Sequence, residues 1–241
     1  MRYSLSKIDQ FRFGVVTAKL NIEAGGEIAE LFASASKNQV ELMIIRVLAD
    51  NLTVVQELEN EGAFLTDTLV YYKKNEMQQC SENLPQGYVS RVATPADASR
   101  LEVVALATFA GYFGHYHSDS HLNKRDCDLV YSSWAAASCT SKNVADAVLL
   151  IEKNDVIAAF ATIKTTSEGE IEGVLFGVAP EHRGKGLHSS LMTISQNWGV
   201  KNKYKSMITS TQLINTAVQK NWCRLGFEPV KSYYTFHKWF K

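Results

Sequence analysis

The 241-residue chain has no excess of charge of either sign: 25 lysines and arginines stand against 25 aspartates and glutamates. No single-signed field therefore draws it to nucleic acid or to an anionic membrane surface. No apolar run reaches the length of a transmembrane helix, and the N-terminus has no signal-peptide pattern. The four cysteines, Cys80, Cys127, Cys139 and Cys223, are scattered and form no CxxC pair. That spacing argues against a structural zinc site and suits reduced thiols. These absences lead us to expect a cytoplasmic protein with no membrane or nucleic-acid partner. A homodimer is left open. What is plentiful is apolar: hydrophobic residues make up 46% of the chain, enough for the core of one large domain or two small ones.

Apolar periodicity and punctuation divide the chain into two units, residues 1–80 and 88–241. In the first, residues 11–20 read as a strand. Gly25 and Gly26 precede a helix over about residues 27–36, and a second apolar run covers 40–48. Asn51 caps a helix that continues to Gly62, with Val54, Val55 and Leu58 on its buried face, and residues 64–74 follow as a strand. The polar stretch 75–86 is the best linker. The second unit opens near Tyr88, and Thr94-Pro95-Ala96-Asp97 has the cap and first-position proline of a helix start. A loop rich in Gly, Tyr and His spans 111–121, and a helix follows over 125–137. Two strands, 147–152 and 156–164, are joined by the turn Lys153-Asn154-Asp155. Strands and helices then alternate to the end, which implies an α/β (α+β) fold around a mixed sheet.

The most informative stretch is residues 173–188. An apolar run ends at Pro180, a basic glycine-rich turn follows (Arg183-Gly184-Lys185-Gly186-Leu187), and a helix opens at about His188. Free backbone amides at a helix N-terminus, beside Arg183 and Lys185, form a site for phosphate or pyrophosphate, because unpaired N–H groups and the helix dipole both favour negative charge. The units also echo each other. Asn51 lies eleven residues before Gly62 and Asn215 eleven before Gly226; Val54 matches Val218, and Leu58 matches Trp222. We read the first unit as a shorter βαβαβ half of related topology, although capped helices before strands look alike in any case. Only the second half has the Arg-x-x-Gly turn.

Two ordered motifs carry a family resemblance. Arg183-Gly184-Lys185-Gly186-Leu187-His188 resembles the acetyl-CoA loop of the GNAT acetyltransferase superfamily, Arg/Gln-x-x-Gly-x-Gly/Ala. Residues 215–227 resemble its later pattern, Asn-x-x-Ala-x-x-x-Tyr-x-x-x-Gly-Phe. The likeness spans about residues 88–239. A narrower one, over nearly the whole chain, is to the TDP-fucosamine acetyltransferases, which N-acetylate a nucleotide-linked amino sugar. Phe11-Arg12-Phe13-Gly14, the aromatic segment 109–117, Tyr131 to Trp134, and Thr211-Gln212 with Asn215 carry it. The resemblance implies a GNAT-type mixed sheet flanked by helices, acetyl-CoA as acyl donor, no metal, and a nucleotide amino sugar as acceptor. Two positions depart from the pattern. His188 replaces a small residue of the turn. Trp222 replaces the tyrosine of the general acid, and an indole is a donor only.

On that reading the coenzyme is held by Phe176, Gly177 and Val178 of the strand, by Arg183, Gly184, Lys185, Gly186, Leu187 and His188 of the turn, and by Asn215 and Trp222. Asn215, a plain N-cap on the bland alternative, is also a candidate for contact with the thioester. Tyr234 is a candidate substitute acid, although strand packing explains the same residue. Glu172, just before the strand, is a candidate base, with His117 and Asp119 as others. Tyr112, His115, Tyr116, His117 and Gln212 are assigned to the acceptor. Three histidines and Asp119 crowd residues 115–121, but their spacing lacks the tight ligand pair of a zinc site, so the loop is read as an acceptor-contacting segment. Another small amine or peptide as acceptor, and a coenzyme- or nucleotide-binding module without catalysis, remain as alternatives.

Overall fold

The computed structural model describes residues 2–23, 27–166 and 169–240. Among these, ten strands form one mixed sheet in the order β1-β2-β3-β10-β4-β9-β8-β7-β6-β5, flanked by seven α-helices. The first half comprises β1 (Ser4–Leu5), α1 (Lys7–Phe13), β2 (Thr17–Ile22), α2 (Ile28–Lys37), β3 (Leu42–Leu48), α3 (Leu52–Asn60) and β4 (Phe64–Lys74). The second comprises β5 (Val89–Val92), α4 (Ala98–Thr108), α5 (Lys124–Thr140), β6 (Ala147–Lys153), β7 (Val156–Thr165), β8 (Ile171–Val178), α6 (Leu187–Lys201), β9 (Met207–Gln212), α7 (Thr216–Arg224) and β10 (Glu228–Trp239). No helix among the described residues is long and apolar enough to cross a membrane.

The expected strand at residues 11–20 is in fact the end of α1, a turn, and β2. Phe11 is 92% exposed, so its apolar character marks no core position. Local polar partners decide the matter. Asp9 is buried, accepts from Ser6 Oγ and Tyr116 Oη, and is ion-paired with Lys19. Those contacts pull a turn of helix onto the sheet edge against strand propensity. Gly25 and Gly26 lie outside the described residues; the helix beyond them, α2, buries Ile28, Leu31, Phe32 and Ala35 at helical spacing. Thr94 caps the turn that Pro95 opens, as expected, and Asp97 completes a capping box with it. Between β6 and β7, Asn154 and Asp155 both have positive φ, as a two-residue hairpin turn requires.

The last strands of the two halves are exchanged. β10 lies antiparallel between β3 and β4, and β4 lies between β10 and β9. Each strand thus follows its own helix, α3 or α7, but completes the other half's sheet. α2 and α3 cover the first half's core, where Leu58 and Ile45 are fully buried. α6 and α7 cover one face of the second half over Ile171, Met207 and Trp222, and α4 and α5 cover the opposite face over Leu150 and Phe160.

At the β5–β6 edge, Arg91 donates to both Asp97 and Glu152 at 2.7 Å, and Arg100 joins the same carboxylates. The hydrogen bonds from Arg91 hold Asp97 well below the usual carboxylate range, and Glu152 is lowered by the same partner. An acid whose pKa is depressed by folding contributes stability that is complete above its unfolded pKa, about 4, and is lost as pH falls toward the folded value. We therefore expect Tm to fall on acidification from about pH 5 to pH 3, and Asp97→Asn to lower Tm at neutral pH while flattening that acid limb. Thermal melts across the pH range check both.

Candidate functional site

β8 and β9 run parallel for only three residue pairs, Ile171–Met207, Glu172–Ile208 and Gly173–Thr209. Beyond Gly173 they diverge. β8 stays paired with β7, with a bulge opposite Thr162/Ile163, while β9 stays paired with β4. The parallel pair of the first half, β2 and β3, remains paired from Thr17–Leu42 to Ile22–Val47, so no wedge opens between them. The bulge bends β8 away from its neighbour, and Thr209 Oγ1 donates to Gly173 O at 2.9 Å to fasten the vertex.

The direction of the free amides follows from the ladder. Leu175 N–H donates to Thr162 Oγ1, and Ala179 N–H to Ala158 O, both on the β7 side. Strand groups alternate, so the N–H groups of Phe176 and Val178 point into the wedge. Gly177 then has a packing role: a Cβ there would run into the ring of Phe160 and lie 2.9 Å from Thr108 Cγ2.

Behind β8, Pro180–His182 forms a 3-10 turn and α6 starts at Leu187 after Gly186, whose φ of +78° is the left-handed conformation that glycine adopts freely. The first bond of α6 is Ser190 N to Gly186 O, and the amides of residues 184–189 have no acceptor among the described residues. Arg183 reaches back across the mouth, donating from Nη2 to Thr108 O at 2.9 Å and from Nε to Val178 O at 3.4 Å. Lys185 Nζ donates to Glu181 O. A cavity of about 260 Å³ lies over these residues, lined by Val178, Arg183, Gly186, His188, Ala217 and Asn221 among others. Burial pushes His188 down to about 4, so the ring is neutral at physiological pH. Its Nδ1 accepts a hydrogen bond from Asn221 Nδ2 at 2.8 Å, and Nε2–H is left as its donor.

On α7, Asn215 differs from its counterpart Asn51. Asn51 Oδ1 accepts from Val54 N at 3.4 Å, a weak cap, whereas Asn215 makes no side-chain cap and donates from Nδ2 to Thr211 Oγ1 at 3.0 Å. Trp222 is 2% exposed, and its Nε1 is buried without a hydrogen-bond partner among the described residues. Its ring lies 5.5 Å from that of Tyr72, which β4 brings in from the first half. Tyr234 does not approach this region. The strand exchange carries it to the core under α2 and α3, where it packs near Phe236.

Glu172 stands at the wedge vertex and lines a second groove, of about 350 Å³, with Arg46, Tyr71, Lys231 and Tyr233. Burial raises the Glu172 carboxyl above the usual range; Arg46 opposes the shift. The residues assigned to the acceptor from the sequence scatter. Gln212 bridges Asp67 Oδ2 and Phe113 O. Tyr112 packs edge-on to Tyr131 at 5.0 Å. His117 meets Asp128, and Tyr116 is turned inward to Asp9. His115 joins a buried chain in which His237 bridges it to Asp119, with Trp239 and His121 on the same carboxylate. Asp119 thus pins the aromatic loop to β10. No group of three or more His, Cys, Asp or Glu side chains among the described residues is arranged to hold a metal ion. Sequence reasoning missed Arg46, Tyr71 and Lys231, because strand exchange alone brings them to the second half's vertex.

Residues 111–227 match the family described as Acetyltransferase (GNAT). No curated protein sequence matches the chain. Among solved structures, a GCN5-related N-acetyltransferase from Sphaerobacter thermophilus superposes with a TM-score of 0.63 at 14% identity, over 88% of this chain and 65% of that one, just under two thirds of its length. A tandem GNAT protein from the clavulanic acid biosynthesis pathway gives 0.59 at 13% identity, over 88% and 68%. A conserved protein of unknown function from Staphylococcus epidermidis gives 0.62 at 14%, over 98% and 90%. With its split β8–β9 pair and the glycine-rich turn into α6, the chain has the mixed α/β GNAT fold.

Proposed function

We propose that the protein is an acetyl-CoA-dependent N-acetyltransferase. The observation that carries this reading is the parting of β8 from β9 directly beside the unpaired amides of residues 184–189. On it, those amides and Arg183 take the coenzyme diphosphate. The N–H groups of Phe176 and Val178 hold the pantetheine arm and the thioester oxygen, an arrangement in which one well-placed donor is worth about 3 kcal/mol in the transition state. The acceptor amine enters from the groove that Glu172 lines. Its nitrogen attacks the thioester carbon, Glu172 takes the proton released from nitrogen, and the C–S bond breaks. A thiol with a pKa of about 8.5 leaves with little assistance, so the indole at Trp222 is compatible with turnover.

The acceptor we assign is a nucleotide-linked amino-deoxy sugar in the cytoplasm. Arg46 in the groove suits its phosphates, and the exposed ring of Phe113 suits stacking. We read residues 1–80 as a degenerate half related to residues 88–241. The nine-residue helices α3 and α7, each preceded by asparagine and followed by an exchanged strand, support that reading. Calorimetry with acetyl-CoA and CoA, followed by thiol release with a panel of TDP- and UDP-amino sugars and other small amines, tests the assignment. Absence of heat with either coenzyme would end it. Tight coenzyme binding with no thiol released on any amine would favour the binding module, for which the unpartnered indole of Trp222 speaks.

Trp222→Tyr checks the departure directly. We expect acetyl transfer to stay equal or rise, because a phenol is a proton donor that an indole cannot replace. Tm should fall, because the smaller ring leaves a cavity beside Tyr72, at a cost of about 1–3 kcal/mol. Steady-state rates and a thermal melt separate the two effects.

A further inference from the structure

The groove that Glu172 lines is built from both halves of the chain. Asn21, Glu23, Arg46 and Tyr71 come from the first, and Glu170, Glu172 and Lys231 from the second. Most of its charges are already engaged. Glu170 is paired with Lys73 at 2.7 Å and accepts from Ser206. The Lys231 ammonium lies 5.6 Å and 5.5 Å from the rings of Tyr71 and Tyr233. Tyr233 Oη donates to Glu23. Two groups are left over. Glu172 and Arg46 each make no hydrogen bond and no ion pair among the described residues.

Arg46 is half-buried on β3, opposite Thr235 of β10, which in turn faces Asp67 of β4. A guanidinium removed from water without a partner is costly, and its planar fork matches an oxyanion in two parallel hydrogen bonds. Lysine stacked between two tyrosine rings has no comparable vacancy. The groove therefore has one carboxylate and one guanidinium that feel each other's charge but close no hydrogen bond or ion pair, in a volume of about 350 Å³.

We propose that Arg46 is the acceptor's anion clamp, so that the substrate carries both an amine, received at Glu172, and an oxyanion, a phosphate or a carboxylate, received at Arg46. This deepens the acetyl-transfer reading and rests on it for the amine end only; the anion end is a binding property of the chain itself. It also gives the first half a function: without β3 and the exchanged β10, the groove has no cation free to select the acceptor.

The test is run on the full chain saturated with CoA, so that the turn at 183–188 is occupied. Inorganic phosphate and succinate are titrated in turn, followed by calorimetry and by the Arg46 Nε–Hε resonance. We expect one equivalent of at least one anion to bind and shift that resonance. Binding should weaken at least about tenfold in Arg46→Gln and recover in part in Arg46→Lys, with CoA affinity unchanged in both variants. Phosphate alone would assign a phosphate ester, succinate alone a carboxylate, and both an oxyanion of either kind. Binding of neither anion, or equal binding by Arg46→Gln, overturns the clamp. Should the wild type fail to bind CoA, the acetyl-transfer reading falls by itself, and the same titration without CoA still decides the role of Arg46.

Discussion

Glu172→Gln is expected to lower kcat by about 10²- to 10⁴-fold, the range for removing a general base, with little change in acetyl-CoA affinity. Glu172 occupies the row before the last pair, Gly173–Thr209, at which β8 leaves β9, on the face of the groove and not of the coenzyme cavity. Its carboxyl is raised by burial, which brings its basicity closer to the working pH. The wild-type rate should rise with pH through that raised value, and the limb should vanish in the variant. Stability should move the other way. An acid with a raised folded pKa costs the folded state stability at any pH above that value, because burial opposes its charged form. The neutral amide removes the cost, so Tm at neutral pH should be higher in Glu172→Gln. Loss of activity with a gain in Tm is the signature of a strained functional carboxylate. Unchanged kcat would move the base elsewhere, and Asp67, raised by burial against its hydrogen bonds from Gln212 and Thr68, would be the next group to replace.

How much of this was legible in the sequence depends on the range of the interactions involved. The helix starts at Thr94 and Asn51, the hairpin at Asn154-Asp155, and the glycine-rich turn into α6 are local devices, and local residues announce them. The repeated spacing of Asn51–Gly62 and Asn215–Gly226 likewise corresponds to α3 and α7, both nine residues long. Tyr234 shows where local reasoning stops. As a substitute acid it would have to stand near Trp222, as it would if β10 lay beside β9, but β4 takes that place and supplies Tyr72 instead. Both strands carry paired tyrosines and run antiparallel to their neighbours, so no pattern of period two distinguishes the exchanged pairing from the simple one. Arg46 was invisible for the same reason: a lone cation in an apolar strand reads as an edge residue until the far half of the chain closes a groove around it. At residues 11–20 the failure was different. The polar contacts of Asp9 with Ser6, Lys19 and Tyr116 outweigh the strand propensity of an aromatic segment, and two of those partners lie on other elements.

Arg183→Glu is expected to weaken acetyl-CoA binding by at least about 100-fold, close to 2.7 kcal/mol. Two effects add. The guanidinium donates to Thr108 O and Val178 O, tying the turn to the end of α4 and to the wedge strand. A carboxylate has nothing to donate to either carbonyl, so the turn loses its tether. The new negative charge also stands beside the amides of residues 184–189, where a diphosphate would bring its own. Arg183→Gln separates the terms: it removes the positive charge without adding a negative one and keeps an amide donor for the carbonyls, so its loss should be about tenfold. Lys185→Glu should fall between them, because Lys185 holds only Glu181 O within its own turn. Calorimetric Kd values for the three variants should therefore rank Arg183→Glu, Lys185→Glu and Arg183→Gln from weakest to tightest. Each loss should shrink at high salt, since the part that comes from unscreened charge fades as the Debye length shortens. A wild-type Kd in Arg183→Glu would show that the turn into α6 does not hold the diphosphate, and the wedge between β8 and β9 would then need another ligand.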